Sequence, residues 1–260
     1  MSRISITRPF RKLAKRVSNR VSGRGIINYR DRGSINFIDV GSSGHLPEPW
    51  LSNACHIRKL LSFEPLGTGK ANNNIIVSPN ALWSCTTIRP FHVYKGFRST
   101  GSSLFEQNFD FVNSNFESLR MTGPGHLAST WHERSALVKT EQIECTTLDA
   151  TLRQLDLPFT FDFMKIDAQG AEYEILIGAE KFLTESCCGL HLELFTFPLY
   201  KGIKLLPEVT GLLEKMGFTL VLKYPPHGTF NSQNDCVFIK TAGSGVNKEK
   251  TDLIMKIYGL

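Results

Sequence analysis

The residues with most chemistry to offer are acids placed where apolar segments stop. Phe37-Ile38-Asp39-Val40-Gly41-Ser42-Ser43-Gly44 puts a carboxylate at the end of an apolar run and follows it at once with glycines. Glycines at Gly41 and Gly44, with Ser42 between, let the backbone turn tightly and approach a ligand closely. A carboxylate beside such a turn favours a cationic or hydroxyl-bearing ligand over a bare phosphate. The string contains neither the GxGxxG dinucleotide pattern nor the Gly-Lys-Ser/Thr of a P-loop. About 25 residues further on, Leu-Leu-Ser-Phe-Glu-Pro (60–65) ends a second apolar run in Glu64. A carboxylate at the end of a second strand can accept hydrogen bonds from both hydroxyls of a ribose. Asp39 and Glu64 on adjacent strands therefore suggest a nucleoside cofactor without a pyrophosphate. Asn80 and Ala81, after a third apolar run, stand where adenine contacts would come from. Each of these also has a plain structural alternative: a strand-to-helix turn, a solvated loop charge, an ordinary turn.

The elements that would position these acids follow from the hydrophobic pattern. INFIDV (35–40), LLSFE (60–64), NIIVS (74–78), FDFMKID (161–167) and GLHLELF (189–195) are predicted as buried strands. FTLVLK (218–223) and DCVFIK (235–240) are predicted to close the sheet as a pair. A helix carrying Ala171, Ile175, Leu176, Ala179, Phe182 and Leu183 separates the fourth and fifth strands. A second carries Leu205, Leu206, Val209, Leu212, Leu213 and Met216. Alternating residues through 84–95 and 135–145 predict antiparallel strands, with a loop-rich stretch between them. The fold class is α/β: a seven-stranded, mostly parallel sheet with helices on both faces and a small antiparallel insertion. Residues 1–34 are expected to form a basic, partly helical arm, 35–240 the domain with its insertion at 84–145, and 241–260 a linker and short C-terminal segment. In such sheets ligands sit at the carboxyl ends of the strands, near the switch in strand order. Chemistry is expected just after residues 40, 64, 78, 167 and 195.

The combination resembles the FkbM-type family of S-adenosylmethionine-dependent methyltransferases. The most specific match is KIDAQGAEYEILIGA (165–179), similar to the family's Lys-Ile-Asp-x-Glu-Gly-x-Glu string and the apolar helix that follows it. FEP (63–65), ALW (81–83), GSSL (101–104) and TTLD (146–149) resemble it in the family's order, and Gly41-Ser42-Ser43-Gly44 with Pro47 and Trp50 is similar to one branch. The likeness spans roughly residues 35–240. Gln169 departs from it, standing where the family usually has Glu, so any role of that carboxylate is lost. The resemblance implies a Rossmann-like methyltransferase fold and methyl transfer to oxygen, often on sugars or natural products. Asp39, Gly41 and Gly44 would line the methionine end of S-adenosylmethionine, Glu64 would hold its ribose, and Asp167 would face cofactor and acceptor. An alcohol acceptor needs a general base within hydrogen-bond reach. Asp167 is the first candidate and Glu193, on the next strand, the second. Glu172 reads as a carboxylate stabilised in a first helical turn, and His191 as a core histidine. His126 and His132 lie in the insertion. Asp167, Glu193 and His191 form no closely spaced ligand set, so no metal is expected.

Charge and composition exclude other classes. The formal net charge is +6, but Arg3, Arg8, Arg11, Lys12, Lys15, Arg16 and Arg20 lie within the first 20 residues with no acid among them. Without those seven the rest of the chain stands at about −1, so nucleic acid is not the expected partner of the body. The arm has an apolar stripe at Phe10, Leu13, Ala14, Val17 and Val21. It is expected to pack on the domain, to attach to an anionic membrane surface or acidic polymer, or to be a disordered arm. No run approaches the roughly 18 apolar residues of a membrane span. The six cysteines include no CxxC pair, which suits reduced thiols and a cytoplasmic location, peripheral to a membrane if the arm binds one. The expected partner is a small-molecule or glycan acceptor; the oligomeric state is not legible. The rival readings are an RNA or protein methyltransferase using the arm, a non-catalytic module retaining the fold, and a nicotinamide-dependent oxidoreductase.

Overall fold

A computed structural model describes residues 34–41, 46–65, 70–71, 74–243 and 245–260. The expected arm, apart from Ser34, and two of the expected cofactor contacts, Ser42 and Gly44, lie outside the described residues.

The chain enters through β1 (Ile35–Val40), buried at all six positions, as a continuous apolar run in a parallel sheet should be. A turn carrying Trp50 leads to β2 (Ile57–Phe63), followed by a two-residue strand β3 (Lys70–Ala71) and by β4 (Ile75–Ser78). Next come β5 (Ala81–Leu82) and β6 (Thr87–Tyr94), then helices α1 (Phe109–Leu119), α2 (Gly125–Ser129) and α3 (Trp131–Arg134), and β7 (Leu137–Thr146). Helix α4 (Leu148–Leu155) starts where the Thr147 side chain accepts from the Ala150 N–H at 3.0 Å. After β8 (Phe163–Ile166) come α5 (Glu172–Ile177), α6 (Glu180–Glu185), β9 (Gly189–Phe195), α7 (Leu206–Lys215), β10 (Phe218–Lys223), β11 (Gln233–Lys240) and α8 (Lys248–Ile257).

The main sheet has the order β10-β11-β9-β8-β1-β2-β4-β3. All seven expected strands are in it, and the two-residue β3 is added at one edge. The pairs β4–β2, β2–β1, β1–β8 and β8–β9 are parallel, whereas β11 runs antiparallel to both β9 and β10. From β1 the chain builds outward through β2 and β4, then returns to the other side of β1 for β8 and β9. The strand order therefore switches at the β1–β8 boundary. A second sheet, β5-β7-β6, holds the insertion; β6 and β7 pair antiparallel from Thr87↔Cys145 to Tyr94↔Leu137.

Each face of the main sheet has its own core. Ile38, Val40, Leu61, Phe63, Met164, Ile166, Leu190 and Leu192 pack under the helices α5–α7. Ile35, Phe37, Leu60, Phe163, Val237 and Ile239 pack against Trp50, against Ile254 and Ile257 of α8, and against Tyr258 just after it.

One expectation needs correction. The single helix over 171–183 is two helices, because the first ends at Gly178, a poor helix former, and the second restarts after Ala179. The short C-terminal segment forms helix α8 and packs on the sheet. Asn247 caps α8 by accepting from the Lys250 N–H at 3.1 Å, and Lys250 Nζ reaches Asp162 Oδ1 at 2.6 Å. The helix seals one sheet face because its apolar stripe has no other surface to bury. Among the described residues all six cysteines are free thiols, four of them buried. No helix among those residues is long and apolar enough to cross a membrane.

Candidate functional site

On the α8 side of the sheet, side chains change character along the strands. Ile35 and Phe37 give way to Asp39; Phe163 gives way to Lys165 and then Asp167; Gly189 gives way to His191 and Glu193. The register aligns Ser62, Asp39, Lys165 and His191 across four strands. Strand β11 runs the other way, so its first residues, Gln233 and Asp235, meet the same edge, with Asp235 opposite Glu193. Alternation by twos keeps all of these on one face. The result is a polar row at the carboxyl edge of the sheet, centred on the switch point where ligands bind in open α/β sheets.

Asp39, Gly41, Glu64 and Asp167 fall on three adjacent strand ends. The Asp167 N–H donates to Val40 O at 3.1 Å, Gly41 N–H to Phe63 O at 3.1 Å and Glu64 N–H to Ser78 O at 3.0 Å, so the ladder continues past each strand. Gly41 has φ +75°, and a Cβ there would fall 1.8 Å from the Asp167 carbonyl oxygen. Asn80 follows β4, half-buried, with its N–H 3.4 Å from Ser78 Oγ. Ala81 lies one residue further, in β5, with its side chain in the core and its backbone paired to Cys145.

Lys165 supplies the cation of the row. Its Nζ is 3.7 Å from Asp39 Oδ1 and 3.5 Å from Asp167 Oδ2, and Asp39 is only 1% exposed. Burial pulls the Lys165 pKa down, but the charges of Asp167, Asp39 and Glu193 push it up further, so the net shift is upward. Asp167 has 35% of its side chain exposed; Glu193 has 14%. The two candidate bases are thereby distinguished. Glu193 Oε2 accepts from Gln169 Nε2 at 2.8 Å and from Gln233 Nε2 at 2.6 Å. Its pKa is raised well above the usual carboxylate value, first by burial and then by the charge of Asp167 and a hydrogen bond shared with it. Gln169 Nε2 also donates to Asp167 Oδ1 at 2.8 Å. Glu172, in the first turn of α5, folds back so that Oε1 accepts from the Ala168 N–H at 2.8 Å, and burial lifts its pKa to about 7.

His191, read from the sequence as a core histidine, is joined here by Tyr258, Asp235 and His227, whose places the sequence did not signal. His191 is buried, with Nδ1 2.9 Å from the Tyr258 hydroxyl and Nε2 3.2 Å from Asp235 Oδ1. Trp50 Nε1 donates to that hydroxyl at 2.8 Å, and an indole N–H can only donate. The Tyr258 hydroxyl therefore lies between the indole N–H, from which it accepts, and His191 Nδ1, while His191 Nε2 faces Asp235. His227, between β10 and β11, approaches Asp235 Oδ2 at 3.1 Å and Glu193 Oε1 at 4.0 Å. Burial would raise the Asp235 pKa, but the hydrogen bond from His191 and the charges of His191, His227 and Lys165 lower it on balance. His132 sits instead in the insertion, 2.7 Å from Asn113 Oδ1. No group of three or more His, Cys, Asp or Glu among the described residues has the arrangement of a metal site.

Residues 52–220, well over half of the chain, match the family described as Methyltransferase FkbM domain. The chain belongs to the FkbM methyltransferase family. No curated protein matches it significantly. A solved structure, methyltransferase FkbM from Methylobacillus flagellatus KT, aligns with a TM-score of 0.43 and 12% identity over 79% of this chain. This FkbM-family chain spans 43% of that protein's length. The family match takes in Glu64, Asn80, Ala81, Asp167 and Glu193, while Asp39 and Gly41 lie just before it.

Proposed function

We propose that this chain is an S-adenosylmethionine-dependent methyltransferase that methylates an oxygen of a small hydroxylated acceptor, such as a saccharide. The observation that carries this reading is the placing of Asp39, Glu64 and Asp167 at three adjacent strand ends around the switch point, with Gly41 pressed against the Asp167 backbone. That donor set suits a nucleoside bearing a positive charge. Glu64 would accept from the two ribose hydroxyls, and Asp39 and Asp167 offer negative charge to a sulfonium. The turn at Gly41, with Ser42 and Gly44, would lie against the methionine portion, and Asn80 and Ala81 would border the adenine. When bound, S-adenosylmethionine supplies a methyl group already activated by its sulfonium.

The chain's own task is then alignment and proton removal. Asp167 is the more exposed acid, and Gln169 and Lys165 fix its two oxygens, so it would accept the acceptor's hydroxyl proton. Glu193, engaged by two carboxamides, stands behind it. A cytoplasmic location and contact of residues 1–20 with an anionic membrane surface belong to the same proposal.

Calorimetric titration with S-adenosylmethionine and its demethylated product, with NADH as control, tests the cofactor. Both of the first two should bind and NADH should not. Glu64→Ala should weaken binding by about 1.5–3 kcal/mol, roughly ten- to a hundredfold in Kd, because a charged acceptor of two hydroxyls is gone. Asp167→Asn should bind the cofactor within a few-fold of wild type yet transfer methyl to an acceptor roughly 100-fold more slowly or worse. Unchanged transfer by Asp167→Asn would remove Asp167 from the base role, and no binding by folded wild-type protein would remove the cofactor.

A further inference from the structure

Gln169 occupies a backbone conformation that costs it something. Its φ is +51°, in the left-handed region where a glycine would sit without strain. A strained non-glycine residue persists when its surroundings over-determine it, and such residues cluster at functional sites. Here the backbone is held by Ser103 Oγ, which donates to Gln169 O at 2.7 Å. The side chain is held at both ends. Nε2 directs its two hydrogens to Asp167 Oδ1 and Glu193 Oε2, each at 2.8 Å, and Oε1 lies 3.1 Å from the Tyr200 hydroxyl. One carboxamide therefore ties the acid that ends β8 to the acid that β9 carries.

We propose that Gln169 is a positioning residue: its neutral NH2 group cross-ties Asp167 and Glu193, so that two neighbouring carboxylates are held in one geometry without a third charge between them. A carboxylate at this position would bring three acids within hydrogen-bond distance. An apolar side chain would leave the two acids only the hydrogen bond they share, without either Gln169 donor. The other charged or titratable groups facing the pair are Lys165 from β8, Asp39 from β1, Glu172 from α5, Asp235 from β11, and His227 and Tyr200 from the loops. The single charge of Lys165 is already shared between Asp39 and Asp167, so it does not replace the two Gln169 donors. The proposal rests on the methyltransferase reading only for the use to which Asp167 is put.

The test is the pH dependence of thermal stability in Gln169→Glu and Gln169→Leu. A donor from Gln169 favours ionised Glu193, so removing it raises the folded-state pKa of Glu193 further, and a carboxyl group introduced at 169 beside two acids has its own folded-state pKa raised. A carboxyl group whose folded pKa is raised contributes stability below its unfolded pKa and loses it as pH rises through the folded value. Each variant should therefore melt within a few degrees of wild type at about pH 5, with a deficit that at least doubles by about pH 8. Gln169→Glu keeps the shape of the side chain, so a packing role alone would leave its stability unchanged at every pH, and that result overturns the proposal. So does a deficit that is the same at both pH values. If Gln169→Leu fails to fold, Gln169→Glu and wild-type NMR still decide. The Gln169 side-chain amide protons should exchange slowly and move with the titration of the pair; solvent-like exchange and pH-independent shifts would overturn the cross-tie. Calorimetry of wild type with S-adenosylmethionine separates the two claims, because absent binding removes the function and leaves the melting result standing.

Discussion

Replacing Lys165 by methionine should cost on the order of 3 kcal/mol at neutral pH, a fall in Tm of roughly 6–12 °C for a chain of this size. Methionine matches the length of the lysine stem, so packing changes little. What disappears is the cation within 4 Å of Asp39 and Asp167. Asp39 is 1% exposed and cannot turn its charge to water. The pH profile of the loss identifies its cause. In wild type the Lys165 pKa is raised, so its contribution is fully present below the unfolded lysine value, about 10.4, and is lost as pH rises through the folded value. At the acid end, carboxylates that take up protons no longer need the missing cation. The deficit should therefore shrink as pH falls toward the unfolded carboxylate values, about 4. Thermal melts of wild type and Lys165→Met from pH 4 to 10 should show a difference that is largest in the middle of the range. A difference that does not vary with pH would mean that Lys165 acts through packing.

Gly41→Ala should be the more damaging change to the site. The left-handed backbone alone costs a non-glycine residue about 1–2 kcal/mol. Here the new methyl would also lie 1.8 Å from the Asp167 carbonyl oxygen, which is backbone and cannot rotate away. Either β1 and β8 separate at their carboxyl ends or the turn after β1 changes course. Both outcomes move Asp39 and Asp167 apart, so binding of S-adenosylmethionine should fall by at least an order of magnitude. Gly202→Ala is the matched control. Its φ is +78°, but a Cβ there meets nothing within 4 Å. It should show only the backbone strain, and denaturant unfolding of both variants isolates the overlap by difference. Equal losses in the two would show that the approach of Gly41 to Asp167 carries no energy of its own.

Much of the molecule follows from local pattern. Parallel strands buried on both faces must be runs of apolar residues, so INFIDV, FDFMKID and GLHLELF announce themselves, and their order with the intervening helices implies the sheet. The acids that end those runs are visible for the same reason: a charge at the close of an apolar strand has to face the edge of the sheet. Asp39, Glu64 and Asp167 are legible in this way, Glu193 stands out as a charge near the end of an apolar run, and the family match covers the last three of the four.

The partners of those acids are not legible, because pairing depends on direction and register rather than on neighbours in sequence. Gln233 and Asp235 open a strand, and nothing local distinguishes them from surface residues. Only the antiparallel course of β11 turns its beginning toward the ends of β8 and β9, where Asp235 meets Glu193. Tyr258, almost at the end of the chain, reaches His191 because α8 folds back across the sheet to bury Ile254 and Ile257. Gln169 is the clearest case. By sequence it is a lost carboxylate; in the fold it is a neutral donor shared by two acids, a role that exists only once β8 and β9 lie side by side. The sequence by itself determined which residues end the strands, since burial constrains every position along them. The tertiary structure alone decided which side chains those residues meet, since long-range register is set by the packing of the whole sheet.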